Sequence, residues 1–141
     1  MPDGSEPVDP NEKVYRRVFH TYYKPQKLPP LTESAFKPTA SDTDGISLTR
    51  AAITPDPRAV AEGGTLGNTY YVAEMRAGDL MAADGGVTFK PDPTAEDPGH
   101  TVIPEMTFAT IDTDEAEEWR NAARHVPCII HGPFVGTKPR N

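Results

Sequence analysis

Residues Asn68–Arg76 read NTYYVAEMR, and this stretch decides the fold class. Tyr70, Val72 and Glu74 alternate with Tyr71, Ala73 and Met75, a period of two that belongs to a strand. Its aromatic and β-branched side chains suit a pleated, half-buried surface. Downstream, Gly78–Ala83 predicts a single helical turn, Asp84-Gly85-Gly86 a chain reversal, and Val87–Lys90 (VTFK) a second strand. Residues 70–90 are therefore expected to form a hairpin with a wide loop.

Upstream, Val14–Thr21 (VYRRVFHT) reads as an opening strand. Val14 and Val18 share one face while Tyr15 and Phe19 join Arg17 on the other, as in a strand covered on both sides. Residues 24–44 carry four prolines and predict a long loop, tied to the core by Leu28, Leu31 and Phe36. Gly45–Arg50 (GISLTR) is a short strand. Thr54-Pro55 predicts a helix with Thr54 as N-cap and Pro55 at the first position, ended by Gly63-Gly64. After a loop over residues 91–99, His100–Glu105 (HTVIPE) is a short strand interrupted by Pro104.

Asp112–His125 is the strongest helix, with Ala116, Trp119, Ala123 and Val126 recurring at helical spacing. Asp112 or Thr113 caps it, acids crowd its first turn, and Arg120, Arg124 and His125 crowd its end, as the macrodipole favours. Pro127 stops it, and Cys128–His131 (CIIH) reads as a last strand. Short strands without regular strand–helix alternation predict an α+β fold. The expectation is a small single domain over residues 13–135, with a mixed or mostly antiparallel sheet, one main C-terminal helix and long Pro-rich loops.

Composition limits what surrounds this domain. The chain has 141 residues, a formal charge of −7, 16 prolines and 11 glycines. Leu, Ile, Val and Phe together make up under a fifth of it, so the core is thin. Residues 1–12 (MPDGSEPVDPNE) hold, after Met1, a single sizeable apolar side chain, Val8, and are expected to be a disordered acidic arm dispensable for folding. Residues 136–141 are expected to be a flexible tail. One cysteine excludes an intramolecular disulfide framework, and the polar opening segment does not read as a signal peptide, so a cytoplasmic location is expected. No apolar run has membrane-spanning length. The acidic balance argues against general nucleic-acid binding, which needs clustered Lys and Arg.

Two groups of residues could carry chemistry. His125-x-x-Cys128-x-x-His131 contains imidazole and thiolate groups of the kind that hold zinc, although a closed site needs a fourth ligand. Cys128 itself, between Pro127 and Ile129, reads as a small buried hydrophobe. The second group is spread over several strands: Arg16, Arg17, His20, Tyr22 and Tyr23, then Ser47 and Arg50, then Tyr70, Tyr71 and Glu74, then His100 and Glu105. Cationic, aromatic and hydroxyl groups on neighbouring strands are suited to holding a phosphate and a base. No phosphate-binding glycine loop with the required strand–loop–helix context, no Gly-x-Ser-x-Gly and no His-Glu-x-x-His is present.

The succession VYRR, SAF, DGISLTR, YYVAEMRAGDL and GHTVIPE resembles uncharacterised small bacterial proteins that share a Tyr-Arg-Arg opening strand and a late Gly-His strand. That resemblance implies a bacterial or phage origin. At greater distance the same order of elements is similar to the small mono-ADP-ribosyltransferase fold. This second resemblance implies NAD as cofactor, with Arg16 or His20 holding it, Ser47 or Tyr71 on the second strand, and Glu105 as the late catalytic carboxylate. The ligand-binding candidates are thus Arg16, Arg17, His20 and Tyr71, and the catalytic candidates Ser47 and Glu105. The first expectation is a non-catalytic binding or interaction protein without cofactor, whose partner is another protein. The alternatives are an NAD-dependent transferase and a domain with a structural zinc site.

Overall fold

A computed structural model describes residues 4–139. Six strands form one open antiparallel sheet: β1 (Lys13–Phe19), β2 (Ile46–Arg50), β3 (Thr69–Arg76), β4 (Lys90–Pro91), β5 (His100–Ile103) and β6 (Ile129–Val135). Their order across the sheet is β4-β5-β2-β1-β3-β6. Three helices complete the domain: α1 (Pro57–Glu62), α2 (Ala77–Met81) and α3 (Asp114–Ala123). The fold is α+β, as the sequence predicts.

The alternation read in Asn68–Arg76 holds in β3, which lies between β1 and β6. The expected 70–90 hairpin does not form. β4 pairs with β5 through Lys90↔Val102 and Pro91↔Thr101, at the far edge of the sheet from β6. Pro91 lacks an N–H for a ladder, so this strand is two residues long and sits at an edge. Helix α1 starts two residues later than predicted. Tyr15 Oη donates to the Pro55 carbonyl at 2.9 Å, holding Pro55 outside the helix, and Asp56 becomes the N-cap through its bond from Arg58 N–H. Helix α3 is capped by Thr113, whose Oγ1 accepts from Ala116 N–H at 3.2 Å.

The back face of the sheet carries the main core. Val14, Val18, Ile46, Leu48, Ala73, Met75 and Ile103 pack against Phe36, Leu80, Trp119 and Ala123 from the loops and helices above. Trp119 is 1% exposed, donates its indole N–H to the Leu80 carbonyl at 3.1 Å and meets Phe36 edge-on. Leu31 and Phe36 pin the long loop as expected, whereas Leu28 is 97% exposed. The surrounding prolines turn that one side chain outward while its neighbours dock.

The described part of the expected disordered arm, residues 4–12, lies against this back face; residues 1–3 are outside the described residues. Val8 joins the core, and Glu12 takes a bidentate bond from the buried Arg50 at 2.6 and 3.0 Å. Arg50 also donates to the carbonyls of Glu6 at 2.7 Å and Pro7 at 3.3 Å. Charge pairing, not apolar area, is what docks this segment. At the other end, Gly136 is buried, and Thr137 and Lys138 donate their N–H groups to the Glu62 and Gly64 carbonyls, so this part of the expected tail borders α1. Residues 140–141 of that tail are outside the described residues.

Candidate functional site

The front face is closed over only part of its width. Tyr15, Val60, Ala61, Tyr70 and Val72 form a second, smaller core where α1 crosses β1, β3 and β6. Over β1, β2 and β5 the sheet is left open, and a cavity of about 480 Å³ lies there. Its floor is Arg16, Arg17, Ser47, Thr49 and His100, with Ala59 and Val60 of α1 and the Gly63 that caps it on one side and loops 39–42 and 94–97 on the other. That volume is in the range of small-molecule sites.

Strand alternation puts Arg17, Ser47, Thr49 and His100 on the front face, whereas Arg16 shares the back-facing side of β1 with Val14 and Val18 and reaches the cleft where β1 and β2 part. β1 pairs with β2 only at Val14↔Arg50 and Tyr15↔Thr49, and beyond that point the two strands separate. Arg16 bridges the gap, donating from Nε to the Ala35 carbonyl at 2.9 Å and from Nη1 to the Ser47 carbonyl at 2.8 Å. Burial lowers its pKa to about 10, with Asp42 opposing the shift. Arg17 points to the front, donating from Nη1 to the Val60 carbonyl at 3.1 Å, and its charge lies over the Tyr70 ring. It is reachable by solvent from the cleft but ringed by protein, and that desolvation lowers its pKa too. Gly63, where α1 ends, makes room for it, since a Cβ there would stand 2.9 Å from Arg17 Nη1.

Three carboxylates line the cleft, and two are already engaged. Asp42 accepts from Thr39 N–H at 2.8 Å, and Asp97 accepts from Thr49 Oγ1 at 3.0 Å. Among the described residues, no carboxylate forms an ion pair with Arg16 or Arg17. The exposed Glu96 and Lys138 complete the charged lining.

Ser47 and His100 meet across β2 and β5. Pairing of Thr49 with His100 sets Ser47 one diagonal step away on the same face. Ser47 Oγ and His100 Nε2 are 2.9 Å apart, and His100 Nδ1 is 2.9 Å from the Asp92 carbonyl oxygen and 3.3 Å from its Oδ2. The turn into β2 depends on Gly45, whose φ of +127° and 2.2 Å Cβ clearance to the Ile103 carbonyl admit no side chain.

Of the predicted site residues, the cleft gathers Arg16, Arg17 and Ser47. His20 is exposed beyond the end of β1, stacked on Phe19 at 4.6 Å between ring centroids. Tyr71 faces the back and packs on Tyr23 at 4.5 Å. Glu105 follows β5, outside the cleft, and holds Thr88 by its N–H at 3.0 Å and its Oγ1 at 2.7 Å. Asp92 was missed because it lay in an expected loop; the two-residue β4 that brings it beside His100 leaves almost no periodic signal.

The three potential zinc ligands take separate partners. His125 Nδ1 bonds the Asn121 carbonyl at 2.8 Å, and His131 Nε2 bonds Glu74 Oε1 at 2.9 Å. Cys128 is half-buried against the main core, and burial raises its thiol pKa. Among the described residues, no group of three or more His, Cys, Asp or Glu is placed to hold a metal. No described helix is long and apolar enough to cross a membrane.

No family model, curated protein or solved structure matches this chain.

Proposed function

We propose that this domain is a binding module whose front-face cleft takes a small molecule through an anionic group. The observation that carries the reading is Arg17, a guanidinium in a concave, partly desolvated site without a carboxylate partner among the described residues. Arg17 is exposed within the cleft, and a guanidinium there with no bonded carboxylate is open to a ligand's negative charge through charge-assisted hydrogen bonds. Arg16, Thr49 and Ser47 line the floor around it. The NAD-dependent transferase reading shares the arginines and Ser47 but has its expected carboxylate, Glu105, bonded to Thr88 away from the cleft.

The test is a thermal-shift titration in chloride buffer with inorganic phosphate, pyrophosphate and NAD as separate probes. A ligand that binds only the folded state raises its stability by about 2.7 kcal/mol at one hundred times its Kd. Phosphate or pyrophosphate should raise the melting midpoint, and Arg17→Ala should remove the shift. No shift with any of the three probes sinks the reading.

A further inference from the structure

Asp92, His100 and Ser47 stand in line across three adjacent strand positions, from the edge of the sheet to the floor of the cleft. The backbone makes this alignment: continuing the β4–β5 register beyond Pro91↔Thr101 sets Asp92 opposite His100, and Asp92 N–H donates to the His100 carbonyl at 2.9 Å. The Asp92 carbonyl oxygen can only accept, so the proton on the imidazole is on Nδ1. Nε2 is then left as an acceptor, and at 2.9 Å it accepts from the Ser47 hydroxyl. Ser47 and His100 line the cleft; Asp92 stands behind them with its carboxylate also near Nδ1. This is the polarity of a serine activated by a histidine that a third group orients.

From this geometry we infer that Ser47 is a nucleophile toward carboxylic esters or thioesters small enough for the cleft. Ser47 Oγ attacks the acyl carbon while its proton passes to His100 Nε2. The tetrahedral oxyanion collapses, the bond to the alkoxide or thiolate breaks, and that leaving group takes the proton from His100. Water, deprotonated by His100, then hydrolyses the acyl-serine and restores both side chains. The inference rests on the anion-binding reading for one element: Arg17, on the neighbouring strand of the same cleft, is the cation available to the oxyanion. Phosphate bound there would imitate the tetrahedral intermediate. His100 is a catalytic residue in this scheme, and Asp92 a positioning residue.

The experiment is reaction of the full chain with a fluorophosphonate probe. Ser47 Oγ displaces fluoride from phosphorus, and intact mass with peptide mapping locates the adduct. The expected result is one adduct per chain, on Ser47, absent in Ser47→Ala and slowed about 10²–10⁴-fold in His100→Gln. Because His100 is partly buried, each variant's melting midpoint is measured alongside. Asp92→Asn, at an exposed position, should slow labelling by at least about tenfold with the midpoint and the phosphate shift unchanged. No adduct on Ser47, or an adduct formed equally fast in folded His100→Gln, overturns the inference. A phosphate shift without labelling overturns the nucleophile and leaves the binding reading standing. Labelling of Ser47 without a phosphate shift supports the nucleophile and overturns the anion-binding reading.

Discussion

Arg50 and Arg17 lie on the same sheet, two strands sharing one ladder, and have opposite surroundings. Arg50 faces back, is 3% exposed, and has its guanidinium filled by Glu12 and by carbonyls of the chain's first described residues. Hydrogen bonding to Glu12 holds its pKa above the ordinary value. Arg17 faces front, has one carbonyl partner and an aromatic ring, and its pKa is lowered by desolvation. The same side chain is a structural clasp where a carboxylate bonds it and stands open in a cleft where, among the described residues, none does. The backs and fronts of the strands differ in the same way: the back is sealed by Trp119, Phe36 and Leu80, the front only as far as α1 reaches.

The largest effect should come from the sealed side. Trp119→Ala removes a fully buried indole and one of the donors to the Leu80 carbonyl, which keeps the Ala83 N–H, so it should cost about 3–5 kcal/mol, read from denaturant unfolding. A loss under about 1 kcal/mol would mean that the back face is not the main core.

Next comes the clasp. Glu12→Ala removes the carboxylate bonded to the buried Arg50 and leaves, among the described residues, only that of Glu6, at 3.8 Å; loss of one partner of a buried pair typically costs about 3–5 kcal/mol. The three carbonyl partners that remain, on Gly4, Glu6 and Pro7, place this variant at the lower end. Deleting residues 1–12 should cost at least as much, since Val8 leaves the core as well. The opposite expectation, that the segment is dispensable, follows from counting its apolar side chains alone. A silent deletion would return Arg50 to the same footing as Arg17.

Arg17→Ala should separate the two arginines. Surface changes away from caps, cavities and charge networks usually move stability by no more than about 0.5 kcal/mol. With no carboxylate left orphaned, unfolding should be near that limit while the phosphate-induced shift disappears. A loss of several kcal/mol would instead place Arg17 with Arg50 as a structural element.

How much of this contrast is legible in the sequence follows from where periodicity is strong. The alternation of β3 and the 3.6-residue stripe of α3 are long enough to read, and both elements stand as expected apart from a residue or two at their ends. Arg16, Arg17 and Ser47 are visible as polar groups on strands, but which arginine is paired depends on Glu12, at a distance of 38 residues from Arg50. No local pattern encodes such a contact. The Ser47–His100–Asp92 line is illegible for the same reason: it depends on β5 inserting between β2 and β4, where sequence order suggested pairing 87–90 with β3.

The smallest effect is expected at Glu105, and it sharpens the choice between ligands. Its carboxylate is exposed and, among the described residues, bonds only Thr88, through two short contacts that water can replace. Glu105→Gln should therefore cost under about 1 kcal/mol, in line with the modest worth of exposed polar contacts. It should leave the phosphate shift and the labelling of Ser47 intact, because the side chain does not line the cleft. An ADP-ribosyl transfer would require the reverse: a carboxylate beside the ribose carbon, stabilising positive charge as nicotinamide departs, whose loss typically slows such a reaction about 10²–10³-fold. Incubation with NAD and chromatography of released nicotinamide decides the matter. Turnover that vanishes in Glu105→Gln would mean the loop after β5 swings toward the cleft when NAD binds, and Arg17 would then be holding a pyrophosphate.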